Sequence, residues 1–428
     1  MATVEMRVNL VDLVTALAKV VDMMSPELAR HHLSVAYIGY RLAEALEMPP
    51  ETRVEVGVAG LLHDIGAFSL QERLDILEFE EHAPDEHARA GSLLLRGFMP
   101  LANAAQIIRF HHVPWHDGAG RVQNGEPVPM ESHLLHLADR LAVRLPASSH
   151  ILAQVRGAVA HLAAQQGTVF VPEMVEALQE LARRDFVWLE LVSGAAENIL
   201  RKELAVRQYY LGLEQTRAFA RLLSRIIDFK SEFTATHTRG LVAVAAALAH
   251  ALGFRKDELD KIELAAYLHD LGKLAVPSEI LEKPGKLDAG EWPVMRSHVY
   301  YTYQVLSEVE GLQEITGWSA LHQERLDGSG YPFGYAGDEL PQGARILAVA
   351  DMFTGLTEDR PYRAGMPPEA AREVLENSVE RGELDPGIVY VLLANFSRLN
   401  DVRAEAQKQA REEYRGFRAA IAGNDTAG

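Results

Sequence analysis

Apolar side chains recur at three- and four-residue spacing from Asn9 to Met23, the period of a helix with one buried face. An alanine-rich run, Leu241-Val-Ala-Val-Ala-Ala-Ala-Leu-Ala-His-Ala-Leu252, predicts a second helix, since alanine has the highest helix propensity. Alternation at period two, the mark of a half-buried strand, is scarce. From about Val192 to Asp228 charged and apolar positions interleave. Arg201, Lys202, Glu203, Arg207 and Arg217 fall among leucines and tyrosines, with no proline and, after Gly194, only Gly212 as a breaker. The pattern predicts a connecting helix rather than a flexible linker. That helix either packs on its own domain or pairs with a second copy to form a homodimer. Residues 401 to 420 read as a charged helix and residues 423 to 428 as a disordered tail.

The pattern also repeats. Leu42-Ala-Glu-Ala-Leu46 matches Leu248-Ala-His-Ala-Leu252 at an offset of 206 residues, and His31 to His237 and His63 to His269 share that offset. Farther on, His87 to His298 and His111 to His322 are offset by 211, and Asp139 to Asp351 by 212. Two copies of one helical unit follow, with a few residues gained between landmarks. The expected organisation is a first domain over residues 1–192, a connecting helix over 193–228, a second domain over 229–400 and a charged tail over 401–428. The fold class is all-α, two tandem helical bundles.

Composition agrees with two cores: 428 residues exceed the size of one, and 48% of them are apolar. The formal net charge of −18 argues against binding a nucleic acid polymer, which needs a basic face. No cysteine occurs, which excludes disulfides and thiolate ligands. With no long charge-free apolar run and no amino-terminal signal pattern, no membrane association is expected and the compartment is the cytoplasm.

The candidate chemistry lies in His322-Gln-Glu-Arg-Leu-Asp-Gly-Ser-Gly-Tyr-Pro332, preceded by the pair His269-Asp270 and followed by Asp351. Imidazole and carboxylate together suit manganese, iron or zinc, and an aspartate beside a histidine can bridge two ions. Leu268-His-Asp-Leu-Gly-Lys273 stands where an apolar helical run ends at a glycine, at the mouth of a bundle. Two ions a few ångströms apart suit in-line attack on a phosphodiester. Lys273, Arg360 and Arg363 are cations that would offset phosphate charge against the acidic field of the whole chain.

These motifs, with Ile280-Leu-Glu-Lys-Pro-Gly-Lys-Leu287, Ala344-Arg-Ile-Leu-Ala-Val-Ala-Asp351 and Arg360-Pro-Tyr-Arg363, resemble the HD-GYP phosphodiesterases of bacteria, a branch of the HD superfamily. The resemblance spans about Phe233 to Asn395. It implies ligation of two divalent transition metals, iron or manganese, by His237, His269, Asp270, His298, His322 and Asp351. Asp270 would bridge them as the central catalytic group, and Lys273, Tyr331, Arg360 and Arg363 would meet the substrate. The implied substrate is a cyclic dinucleotide, cyclic di-GMP or cyclic GMP-AMP, opened to a linear dinucleotide or, with a second cut, to mononucleotides. Two departures stand out. Gln323 replaces an imidazole and is a poor ligand for a transition metal, which puts the second metal in question. Phe233 replaces a glutamate found in trinuclear members, which argues against a third metal.

The amino-terminal copy keeps His31, His63, Asp64, His87, His111, His112 and Asp139, a fuller set for a second metal site. It has Ala67 in place of Lys273 and Gly120-Arg-Val122 in place of Gly330-Tyr-Pro332. This degenerate HD domain is expected to regulate rather than to cleave. Three functions follow: a cyclic dinucleotide phosphodiesterase, a binder disabled by Gln323 that signals through a protein partner, or another HD phosphohydrolase.

Overall fold

The computed structural model describes residues 6–25, 29–68, 72, 84–146, 149–205, 209–229, 234–283, 285–359 and 364–422. The chain forms two compact helical units, one of residues 9–210 and the other of residues 211–428 with the residues that precede Asn9.

In the first unit the helices are α1 (Leu10–Asp22), α2 (His31–Ala45), α3 (Pro50–Leu62), α4 (Pro84–Leu95), α5 (Ala102–Arg109), α6 (Met130–Val143), α7 (Ile151–Ala163), α8 (Pro172–Leu181), α9 (Asp185–Ser193) and α10 (Ala195–Leu204). The predicted start of α1 is one residue off, because Asn9 is its N-cap and its side chain accepts from the Val11 amide at 2.8 Å. Helix α2 is the hub, packed against α3 and α6. Its Val35, Ala36, Tyr37 and Ile38 are wholly buried.

The second unit repeats the plan with α11 (Leu213–Asp228), α12 (Thr234–Ala251), α13 (Lys256–Leu268), α14 (Ser278–Leu281), α15 (Glu291–Ser307), α16 (Gln313–Ala320), α17 (Gln342–Thr357), α18 (Pro368–Glu380), α19 (Pro386–Ala394) and α20 (Phe396–Ile421). The hub is α12, the alanine-rich run, and its small side chains admit α13, α17 and α20 close around it. Gly240 on α12 lets α20 come close, since a Cβ there would stand 2.8 Å from Gln407 Nε2 and the α20 side chains would have to shift. The one described hairpin pairs Val122–Gln123 with Glu126–Pro127 and contributes nothing to the core.

The expected single connecting helix is not observed. Gly194, at φ 88°, separates α9 from α10, and extended residues Tyr210–Leu211 followed by Gly212 separate α10 from α11. The interleaved pattern is that of two amphipathic helices, each laying its apolar face on its own unit: Leu200 and Leu204 in one, Phe219, Leu222, Leu223, Ile226 and Ile227 in the other. At the carboxy-terminal end α20 runs from Phe396 to Ile421, longer than expected, and residues 423–428 lie outside the described residues.

Candidate metal centres

Each copy builds its centre from the same helices and the turns that follow them. In the second unit His237 projects from α12, His269 caps the C-terminus of α13 with Asp270 after it, and His298 comes from α15. His322 follows α16 and Asp351 comes from α17. Two of these helices, α13 and α16, end at the centre, and a helix C-terminus favours cations. Three imidazoles are fixed in one tautomer by the same device, a donation from Nδ1–H to the carbonyl three residues earlier. His269 reaches Ala266 O at 2.7 Å, His298 reaches Met295 O at 2.6 Å and His322 reaches Ser319 O at 2.6 Å. Each Nε2 lone pair therefore faces the centre, as a metal ligand requires. Burial holds His298 down to about 4 and His322 to about 3, so both rings are neutral at pH 7.

Asp270 divides its oxygens between two pockets. Oδ2 lies 3.0 Å from His269 Nε2, and Oδ1 lies 3.4 Å from His298 Nε2. Burial pushes its carboxyl up, but His269 and Lys273 outweigh that and hold it well below the usual carboxylate range. His237, His269 and Asp351 present ligand atoms to one point, and His269, Asp270 and His322 to another. The buried His322 Nε2 has no hydrogen-bond partner, an orphaned lone pair that a bound cation would satisfy. The donor set thus fits two divalent transition metals.

Of the residues expected to meet substrate, Lys273 is tied to the centre itself, its ammonium 2.6 Å from Asp270 Oδ2. Burial lowers its pKa, but Asp270 more than offsets this and the net shift is upward. Tyr331 donates its hydroxyl to Gln323 Oε1 at 3.2 Å, and burial followed by Asp351 pushes that hydroxyl up to about 12, so it stays a donor. Arg360 and Arg363 lie outside the described residues, as does Phe233. Gln323 does not aim at the His298–His322 pocket: its Nε2 donates to Asp351 Oδ2 at 2.9 Å.

Several participants escaped the sequence reading. Glu358, buried on the helix-end turn seven residues beyond Asp351, accepts from His237 Nδ1 at 3.1 Å, while His237 Nε2 lies 3.1 Å from Asp351 Oδ1. Gln407 on α20 donates to Glu358 at 3.0 Å, and Arg403 donates to Gln407. The seven-residue spacing from Asp351 could have exposed Glu358, but Gln407 and Arg403 were hidden in a segment that read as solvated. Pairs at the 206-residue offset were missed too. Asp22 accepts from His32 Nδ1 at 2.6 Å in the first unit, and at the matching positions Asp228 accepts from Thr238 at 2.8 Å.

The amino-terminal centre assembles all seven expected residues, each buried. His63 Nε2 lies 3.2 Å from Asp64 Oδ2 and His31 Nε2 lies 3.3 Å from Asp139 Oδ1, while His87 Nε2 lies 3.4 Å from the other Asp64 oxygen. Asp64 therefore straddles two pockets as Asp270 does, and His112 completes the second with Asp64, His87 and His111. The glycine after each His-Asp pair is required in both copies. A Cβ at Gly66 would sit 2.1 Å from His87 O, and one at Gly272 would sit 1.9 Å from His298 O.

Residues 221–388 match a family described as HD domain, and residues 28–144 match another of the same description. The 3′3′-cGAMP-specific phosphodiesterase 1 of Vibrio cholerae is 30% identical over 92% of this chain and 93% of its own. This chain belongs to the HD-GYP family. The cyclic di-GMP phosphodiesterase response regulator RpfG of Xanthomonas campestris pv. campestris is 36% identical over 48% of this chain and 56% of its own. The crystal structure of a cyclic GMP-AMP specific phosphodiesterase of V. cholerae, V-cGAP3, superposes with a TM-score of 0.65 at 25% identity, covering 91% of this chain and 98% of that one. The HD-GYP assignment accounts for the two helical units, since each matches an HD domain of its own. Among the described residues no helix is long and apolar enough to cross a membrane.

Proposed function

We propose that the carboxy-terminal unit hydrolyses a bacterial cyclic dinucleotide, cyclic GMP-AMP or cyclic di-GMP, to the linear dinucleotide or, with a second cut, to mononucleotides. Likeness to a cGAMP-specific relative along nearly the whole chain favours the first substrate. The observation that carries the reading is the pair of clusters that share His269, one with His237 and Asp351 and the other with Asp270 and His322, while Asp270 turns its second oxygen to His298.

Iron or manganese, when bound, would activate water and offset charge on the phosphate. The chain's own residues do the rest. Asp270 holds both pockets in register, and Glu358 fixes the His237 ring. Lys273 offers its ammonium beside Asp270 to a phosphate oxygen, and Tyr331 presents a neutral donor at the mouth. The amino-terminal unit would hold metal in a closed, fully buried ligand set and act as the regulatory half, since Ala67 leaves it without the lysine.

The test is chromatography of products after the full chain, loaded separately with iron and manganese, meets cyclic di-GMP, cyclic GMP-AMP and cyclic di-AMP, with Asp270→Ala as control. Cleavage lost in the control is expected. A second reading, a binder that does not turn over, is favoured by the Gln323 bond to Asp351 and would show as tight binding without product.

A further inference from the structure

The exposed rim of the carboxy-terminal centre carries an aromatic and cationic cluster that metal chemistry does not use. Trp292 and Arg296 stand one turn apart on α15, the helix that delivers His298. The Trp292 ring meets the Tyr331 ring edge-on at 6.2 Å, and the Arg296 guanidinium carbon lies 4.5 Å from the Tyr331 centroid. Tyr331 is in turn linked through Gln323 to Asp351, so the cluster lies against the centre rather than at a distance.

Two features of the cluster call for a ligand. Trp292 is 47% exposed, although indole is among the costliest side chains to leave in water. Arg296 is also exposed, and among the described residues it has no carboxylate partner in a chain of net charge −18. An aromatic face beside a guanidinium with no carboxylate partner suits a purine: the base stacks on the ring, and the planar fork of donors meets its edge. Guanine offers O6 and N7 as two acceptors to that fork. Adenine offers N7 and an amino donor, so one guanidinium N–H would face another donor.

We propose that Trp292 and Arg296 form the base-recognition site of the carboxy-terminal centre, with Trp292 stacking a purine and Arg296 selecting guanine. The proposal rests on the cyclic dinucleotide reading above and names the residues that set its base preference. Tyr331 serves here as the floor that orients the guanidinium.

The experiment is isothermal titration of the manganese-loaded full chain with the hydrolysis-resistant bisphosphorothioate forms of cyclic di-GMP, cyclic GMP-AMP and cyclic di-AMP. Arg296→Ala should collapse the preference for guanine-containing ligands over cyclic di-AMP by roughly tenfold or more, the scale of one bidentate base contact. Arg296→Lys should fail to restore it, because an ammonium lacks the fork. Trp292→Ala should weaken the ligands that bind by about tenfold, with Trp292→Phe recovering part of the loss. If Arg296→Ala weakens all three equally, the guanidinium meets phosphate and the base assignment is overturned. An unchanged ligand preference overturns it as well. A wild-type protein that binds none of the three overturns the substrate reading and this inference together.

Discussion

The Gln323 amide donates to the Asp351 carboxylate at 2.9 Å, and in the same stroke its carbonyl accepts from Tyr331. A residue that looks in the sequence like a defective ligand is in the structure a strut between a candidate metal-binding carboxylate and the tyrosine of the Gly-Tyr-Pro turn. Gln323→His should therefore have two separable effects. Bound metal should rise, because the added imidazole resembles His112 of the other copy, which completes its pocket with Asp64, His87 and His111. The Tyr331 hydroxyl should lose its acceptor and KM should increase. Metal analysis of purified protein alongside steady-state kinetics checks both, and an unchanged metal content would place the side chain outside the coordination shell.

Glu358 should act through His237. Outer carboxylates that hold a ligating imidazole typically change metal affinity by about 10- to 100-fold when removed. Glu358→Gln is expected to fall in that range, with kcat largely recovered at saturating metal. Gln407→Leu, one link farther out, should show a smaller shift of the same kind. Metal titrations monitored by activity separate this outcome from a global folding defect, which excess metal would not repair.

The pH dependence of metal loading follows from His237. Burial lowers its pKa, but Glu358 and Asp351 outweigh burial and raise it to about 10. In the metal-free protein the ring is therefore protonated at neutral pH, and ligation through Nε2 must release that proton. Apparent affinity should rise by roughly tenfold per pH unit between about pH 7 and 9 and level off above about 10. The sign for stability is the opposite. A raised histidine pKa stabilises the metal-free fold fully below the unfolded value near 6.5, and that contribution disappears as pH rises through 10. Metal titrations and denaturant melts at several pH values read the two separately.

Much of this was legible in the chain. The expected His and Asp side chains come together in the structure because the His-Asp pair stands at the end of an apolar helix that packs into the bundle. The repeat was legible because seven polar positions recur at nearly constant offset. The connecting helix was misread for a physical reason: a charged and apolar period reports an amphipathic face but not whose core it covers. Gly194 breaks it within the first unit, and Tyr210–Gly212 divides α10 of the first unit from α11 of the second. The buried string from Arg403 through Gln407 to Glu358 was invisible because a polar residue facing a polar partner looks the same in sequence as one facing water.

The amino-terminal centre gives its own expectation. Asp64 offers both oxygens to the surrounding histidines, the Asp64 Oδ1 and His111 Nε2 atoms are buried without hydrogen-bond partners, and every ligand is buried. Orphaned acceptors at such depth are costly unless a cation satisfies them. Asp64→Ala should therefore lower the metal bound per chain while the Asp270-dependent cleavage persists, and Asp270→Ala should do the reverse. Equal metal content in wild type and Asp64→Ala would show that the cluster is held together by its own hydrogen bonds.

The glycines after the two His-Asp pairs offer a test of the repeat that does not depend on metal. At Gly66 and Gly272 a Cβ would fall at 2.1 and 1.9 Å from the carbonyl of the next ligand, His87 and His298. Both neighbours are backbone, so no side-chain rotation relieves the clash and the helix itself must move. Gly66→Ala and Gly272→Ala should each cost more than about 2 kcal/mol, the range of severe core substitutions. The Gly272 variant should also displace His298 and depress turnover, whereas the Gly66 variant should spare it. Urea denaturation of the two variants, paired with kinetics on the folded fraction, distinguishes a shared structural requirement from a shared catalytic one.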